Sequence, residues 1–208
     1  EIVSDSLIRL MNKDIVVITP AMETGSKLTK LKAMFPNNFI DVGIAEEHAL
    51  VLANGLSLEN KIPFVSIYSS FLQRGYDEIL HDIARMNTHV IIGIDRCGIV
   101  GRDGETHQGV FDVTFLLPIP NLIIACPPFC IRYSRASLEY KKAEITEIPI
   151  GSWEQITEGN DGTLITYGDF VNESIEIIEK LKKDGIKIEL VNARFLKPID
   201  EKYFKEII

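Results

Sequence analysis

Short β-branched runs alternate along the chain with stretches whose apolar residues recur at helical spacing. That alternation is the pattern of a parallel sheet covered by helices. Residues 15–19, 64–68, 89–94 and 121–125 read as strands, most of them too continuously apolar to face water on either side. Between them, residues 45–58 and 71–87 read as helices. In the second, Leu72, Tyr76, Ile79 and Ile83 recur at spacings of three and four and form one apolar stripe. The expected fold class is α/β, a mostly parallel sheet with helices on both faces, occupying residues 1–135.

The rhythm stops over residues 136–161, a mixed-charge stretch carrying Gly151 and Gly159 that reads as a linker. A second α/β unit then begins. Residues 163–167 read as a strand, Val171, Ile175, Ile178 and Leu181 mark one face of a helix that Gly185 closes, and residues 186–191 alternate as a further strand. One strand–helix–strand unit cannot bury both faces of a sheet, so residues 162–208 are expected to be an incomplete domain. One junction conflicts with the pattern. The strand ending near Cys126 runs through Pro127-Pro128 straight into another apolar run, residues 129–133. Parallel neighbours need a crossover of about a dozen residues, and two prolines are poor material for a tight hairpin. A connection is therefore expected to be missing at residues 127–128.

Composition narrows the chemistry. The 208 residues are 46% apolar and 25% charged, with a formal net charge of -8. An acidic chain of this kind argues against a general nucleic-acid or anionic-membrane surface, and no run approaches the ~20 apolar residues of a membrane span. Cys97, Cys126 and Cys130 form no zinc pattern and read as reduced thiols. The chain opens on glutamate, without a basic segment before an apolar run. Upstream residues are expected to have been removed, so the missing targeting signal decides no compartment.

Two segments carry candidate chemistry. Asp41-Val-Gly-Ile-Ala-Glu-Glu-His48 puts two carboxylates and an imidazole at the start of an apolar helix. They read either as a charged first turn, favoured by the helix N-terminus, or as a buried acid that shares a proton with a ligand nitrogen. Gly98-Ile-Val-Gly-Arg-Asp-Gly-Glu-Thr-His-Gln-Gly109 follows a strand end, where α/β sheets bind ligands. A solvated turn accounts for Asp103-Gly104 but leaves Thr106-His107-Gln108 without a reason. His81 reads as a helix-packing residue and His89 as a polar residue entering a strand.

These segments, with Ile67-Tyr-Ser-Ser-Phe-Leu-Gln-Arg-Gly-Tyr76 between them and Ile131-Arg-Tyr-Ser-Arg135 beyond, resemble the 1-deoxy-D-xylulose-5-phosphate synthases of the transketolase-like superfamily. The resemblance implies a transferase of isoprenoid and thiamine precursor biosynthesis that condenses pyruvate with glyceraldehyde 3-phosphate, using thiamin diphosphate and Mg2+ as cofactors, in a homodimer. It implies that Glu46 hydrogen-bonds the cofactor's aminopyrimidine, favouring the imino tautomer that removes the thiazolium C2 proton. Phe71 would stack on that ring, although periodicity alone suits a core phenylalanine equally well, and Ile44 would border it. Tyr68, Arg74, Asp103, His107 and Arg135 would lie on the substrate side, with Asp103 and His107 catalytic, and Glu47 would face away. Arginine suits the phosphate because its planar fork donates two hydrogen bonds, although Arg74 could equally pair with Asp77 or Glu78. The family's Gly-Asp-Gly metal and diphosphate segment is absent, and a helix found in the family is replaced by Pro127-Pro128, so this chain is expected to be inactive alone. Two other readings stand beside this one, the C-terminal subunit of a split transketolase and a non-catalytic interaction module. The bacterial cytoplasm is the expected location, or a plastid-type organelle if a targeting segment was removed.

Overall fold

The computed structural model describes residues 2–125, 130–133 and 147–208, and these divide into two compact units. The first contains α1 (Ile2–Leu10), β1 (Ile15–Thr19), α2 (Thr29–Met34), β2 (Phe39–Asp41), α3 (Glu46–Leu58), β3 (Ile62–Tyr68), α4 (Ser69–Leu72), β4 (Ile91–Asp95) and α5 (Asp112–Leu116). Next in the chain, β5 (Ile124–Ala125) belongs to the second unit, and β6 (Cys130–Arg132) returns to the first. The first unit's strands lie in the order β6-β4-β3-β1-β2, all parallel. Register aligns Phe39, Val17, Phe64 and Ile91 across four strands, on one face of the sheet. Phe39, Val17 and Phe64 join Leu7, Leu28 and Leu31 in a core cluster, with Ile91 packed against it. A Cβ at Gly93 would overlap the Phe64 ring. Glycine at that position is what lets the ring lie against β4.

Helix α3 packs on β3, and its Ala49, Leu50 and Ala53 are fully buried. The stretch expected as one helix over residues 71–87 is wound differently. After α4 come a 3-10 turn at Gln73–Gly75 and a π-helical turn at Glu78–Ala84. Within the 3-10 turn the segment lies close on α3, since a Cβ at Gly75 would overlap Leu50. Leu72, Ile79 and Ile83 are buried as the stripe requires, whereas Tyr76 is exposed and meets Phe115 edge-on. His81 does not pack inward. It is exposed, with Nδ1 2.7 Å from Asp77 Oδ1.

Beyond β4, the loop of residues 98–109 is closed at its neck by two reciprocal backbone bonds, Gly98 N to Gly109 O at 2.7 Å and Gly109 N to Gly98 O at 2.8 Å. A Cβ at Gly109 would overlap the Arg96 carbonyl and Ser69. Behind the neck, the buried Asp112 carboxylate receives Arg132 in fork geometry, Nε to Oδ2 at 2.6 Å and Nη2 to Oδ1 at 3.0 Å. Cys97 Sγ donates to the same Oδ2 at 3.2 Å. Burial pushes the Cys97 thiol well above its ordinary range, and the Asp112 carboxylate adds to the shift. It therefore stays a protonated donor, the reduced buried thiol expected from composition.

In the second unit, β5 is a short strand paired antiparallel with β10 (Phe195–Lys197), not a full strand over residues 121–125. Asn121 adopts φ +57°, outside the extended range. Between β5 and β10 in sequence come β7 (Glu154–Thr157), β8 (Gly162–Thr166), α6 (Phe170–Lys183) and β9 (Ile188–Asn192), and α7 (Glu201–Glu206) follows β10. The order is β7-β9-β8, with β8 parallel and β7 antiparallel to β9. Strand β7 falls inside the stretch read as a linker, and edge strand β8 leaves Leu164 and Ile165 exposed. The expected missing connection at residues 127–128 lies outside the described residues.

Glu189, buried on β9, accepts from Gln155 Nε2 at 2.6 Å, Thr163 Oγ1 at 2.7 Å and Tyr203 Oη at 2.7 Å. The bond from Thr163, reinforced by those from Tyr203 and Gln155, holds its carboxyl below the usual glutamate range. Burial and this carboxylate push the Tyr203 phenol up to about 12.

Two stability outcomes follow from these buried charges. Removing one partner of a buried pair leaves the other charge uncompensated, so Asp112→Ala should lower stability by about 3–5 kcal/mol in urea denaturation. A value within about 0.5 kcal/mol of wild type would show that the brace contributes little. Because the Glu189 pKa is depressed on folding, its stabilisation is full above the ordinary value of about 4.3 and is lost as pH falls through the folded value. Thermal unfolding should therefore show Glu189→Gln destabilised at pH 7, with the gap to wild type closing as the pH drops below 4. A gap independent of pH would remove the charge from the explanation.

Candidate active site

Glu46 is the first residue of α3, where the free amides of the first turn favour a carboxylate. Its side chain is 3% exposed, and Oε1 accepts from Arg74 Nη1 at 2.8 Å. Among the described residues, Oε2 has no hydrogen-bond partner. Helical rotation carries Glu47 and His48 outward, and both are exposed. Of the two readings open for this segment, Glu46 fits the buried acid and Glu47 the charged first turn.

Around this carboxylate the structure gathers the aromatic and loop residues. Tyr68, the last residue of β3, stacks on Phe71 of α4 with ring centroids 5.8 Å apart and an interplanar angle of 15°. His107 meets both rings edge-on, 5.1 Å from Phe71 and 6.1 Å from Tyr68. The Arg74 guanidinium lies 5.4 Å from the Phe71 ring centre. His107 is steadied by Thr106, with Oγ1 2.9 Å from Nδ1. Gln108 ties the loop to itself, its amide donating to the Gly104 carbonyl at 2.6 Å and its oxygen accepting from Val100 N at 2.8 Å. Thr106, His107 and Gln108 thus have structural roles that a solvated turn would not give them.

Asp103 enters this group through Arg96, whose Nε donates to Asp103 Oδ2 at 3.1 Å while Nη1 donates to Asp95 Oδ2 at 2.7 Å. The Arg96 guanidinium also lies 4.4 Å from the Tyr68 ring centre. Burial raises the Asp95 carboxyl above the usual carboxylate range, against the pull of Arg96. Arg96 sits at φ +61°, in the left-handed region that costs a side-chain-bearing residue of order 1–3 kcal/mol. Sequence reasoning did not single it out, although it directly follows the strand residue Asp95.

A further wall was also missed. In the loop after β1, Met22 Sδ accepts from Tyr68 N at 3.3 Å, and a Cβ at Gly25 would overlap the Tyr68 hydroxyl. Asp41 Oδ1 pins this loop to the entrance of α3, accepting from Ala21 N at 2.9 Å and Gly43 N at 3.0 Å. The available signal was position, since this loop too follows the carboxyl end of a parallel strand. Glu46, Tyr68, Phe71, Arg74, Asp103 and His107 are therefore linked by a chain of contacts. Ile44 is exposed just before α3, and Arg135 lies outside the described residues.

An aminopyrimidine presents a ring nitrogen, an exocyclic amine and a flat face. A buried carboxylate with one uncommitted oxygen, its other oxygen held by the same guanidinium that lies over the Phe71 ring, has the chemistry to take it. Among the described residues, no group of three or more His, Cys, Asp or Glu side chains could hold a metal ion.

Residues 2–136 match the family model described as transketolase, pyrimidine binding domain, and residues 151–208 match transketolase, C-terminal domain. Proteins named 1-deoxy-D-xylulose-5-phosphate synthase from Bacillus cereus (strain G9842) and Bacillus anthracis (strain A0248) are each 44% identical over 230 aligned positions covering 100% of this chain. The chain spans 36% of the length of those relatives. Because 230 positions align with 208 residues, the relatives carry residues inside the matched region that this chain lacks. A solved structure titled as a split gene transketolase in an inactive beta4 tetramer superposes with a TM-score of 0.85 at 25% identity, covering 98% of this chain and 73% of that one. A Campylobacter jejuni transketolase superposes at 0.80 with 18% identity over 98% of this chain and 36% of its own, a likeness of fold. The chain therefore belongs to the transketolase family, as a pyrimidine-binding domain followed by C-terminal domain sequence.

Proposed function

We propose that this chain supplies the pyrimidine-binding half of a 1-deoxy-D-xylulose-5-phosphate synthase, which condenses pyruvate with glyceraldehyde 3-phosphate and releases CO2. The observation that carries the reading is the buried Glu46 carboxylate, one oxygen held by Arg74 and the other uncommitted, beside the stacked Tyr68 and Phe71 rings and His107. The relatives' name supports the choice of substrates.

Thiamin diphosphate, when bound, supplies a thiazolium carbon that can attack a ketone carbonyl and accept the electrons left when CO2 departs. This chain's residues do the rest of the work assigned to it. Glu46 would share a proton with the ring nitrogen of the pyrimidine, a contact that would favour the imino form of the base. Phe71 supports the flat face of the base. His107 and Asp103 stand on the substrate side, where an imidazole can pass a proton near neutral pH, and Tyr68 borders the same space. Mg2+ and the diphosphate would be held by residues outside this chain. On this reading the chain is inactive alone and works in a homodimer of the complete enzyme, in the bacterial cytoplasm. Among the described residues, no helix is long and apolar enough to cross a membrane.

The resemblance to the split-gene subunit favours a second reading, a transketolase half that takes a ketose donor. Product analysis separates the two. Combined with a diphosphate-binding N-terminal domain, Mg2+ and thiamin diphosphate, the chain should convert labelled pyruvate and glyceraldehyde 3-phosphate to labelled 1-deoxyxylulose 5-phosphate, and should transfer nothing from a ketose phosphate. Transfer from the ketose without pyruvate decarboxylation would establish the transketolase reading instead.

A further inference from the structure

Arg74 was expected on the substrate side, as a phosphate ligand. Its contacts point elsewhere. Among the described residues, the guanidinium bonds Glu46 at 2.8 Å and lies over Phe71 at 5.4 Å, the two side chains assigned to the pyrimidine. Neither acidic neighbour has claimed it: Asp77 is paired with His81, and the buried Glu78 Oε2 has no hydrogen-bond partner among the described residues. The approach is built into the packing. Gly75 admits Leu50 of α3 where any side chain would collide, and this close contact sits one residue from Arg74 and holds its turn against the helix that begins at Glu46.

We infer that Arg74 is a positioning residue for the pyrimidine, holding the Glu46 carboxylate and the Phe71 ring in a fixed relation. The inference rests on the proposed active site and assigns a different task within it. A buried carboxylate free to rotate would offer either oxygen to a ligand. With Oε1 committed to Arg74, Oε2 is the oxygen left for the ring nitrogen. A guanidinium suits this task because it can bond a carboxylate in its plane while its flat face rests on an aromatic ring. Pre-setting both groups removes an ordering cost that the ligand would otherwise meet on binding.

The test uses this chain and 4-amino-5-hydroxymethyl-2-methylpyrimidine as the probe, with affinity read by ligand-observed NMR and folding checked by thermal unfolding. Wild type should bind weakly and measurably. Arg74→Ala should weaken binding about tenfold, the usual scale for disturbing one charge-assisted hydrogen bond. Arg74→Lys, which keeps the charge without the planar fork, should recover part of the loss and serves if the alanine variant does not fold. In the complete complex, the KM for glyceraldehyde 3-phosphate should stay within about twofold of wild type for Arg74→Lys. Unchanged probe affinity in Arg74→Ala, with Glu46→Gln losing the probe, would overturn the inference and leave the active-site reading standing. A rise in KM without a change in probe affinity would return Arg74 to the phosphate. No probe binding by wild type, or equal binding by Glu46→Gln, would remove the active-site reading itself.

Discussion

A carboxylate taken out of water must be compensated, and the arrangement of the candidate site grows from how this chain compensates Glu46. Isolated burial of such a charge costs several kcal/mol even after relaxation. Two things offset it here, the amides at the start of α3 and the guanidinium of Arg74. The second requires the segment after β3 to press against α3. Gly75 permits that contact, and the chain is wound there as α4, a 3-10 turn and a π turn in place of one helix. The same segment carries Phe71, so the groups assigned to the pyrimidine arrive together from one local constraint.

The parallel sheet supplies the rest. Strands β1, β3 and β4 end at Thr19, Tyr68 and Asp95, so the loops that follow them leave from the same edge. One loop brings Met22 and Gly25 to Tyr68, and another brings Arg96, Asp103 and His107. The second is long and glycine-rich, yet its neck is closed by reciprocal backbone bonds and braced by Asp112, Arg132 and Cys97. Glycine gives it its turns, and the buried ion pair fixes where it starts and ends. In the second unit a different cluster does comparable work, with Glu189 gathering side chains from β7, β8 and α7.

Periodicity was enough to find β1, α3 and most of β3 and β4, because buried parallel strands and a packed helix leave uninterrupted apolar signals. It failed where tertiary contact overrode local pattern. The segment after Tyr68 has a helical stripe but is wound partly as 3-10 and π turns, and it lies close on α3 at Gly75. Strand β7 was read as linker because its pairing with β9 is long-range and its sequence, Glu154-Gln-Ile-Thr157, is half polar. Among the candidate site residues, Glu46, Phe71, Asp103 and His107 could be singled out through motif resemblance, which carries residue type and spacing. The alliances between them were not. Nothing in spacing says that Arg74 turns to Glu46 and not to Asp77, or that Arg96 adopts a left-handed backbone to reach Asp95 and Asp103.

The central claim is that Glu46 activates the cofactor by holding a proton against its pyrimidine. Exchange of the cofactor's C2 proton with solvent deuterium, followed by NMR in the complete complex, measures that act without depending on either substrate. Glu46→Gln should slow the exchange by a factor on the order of 10² to 10⁴, the range expected for losing a positioned acid–base group, while binding held by the diphosphate persists. Exchange at the wild-type rate in the glutamine variant would contradict the account.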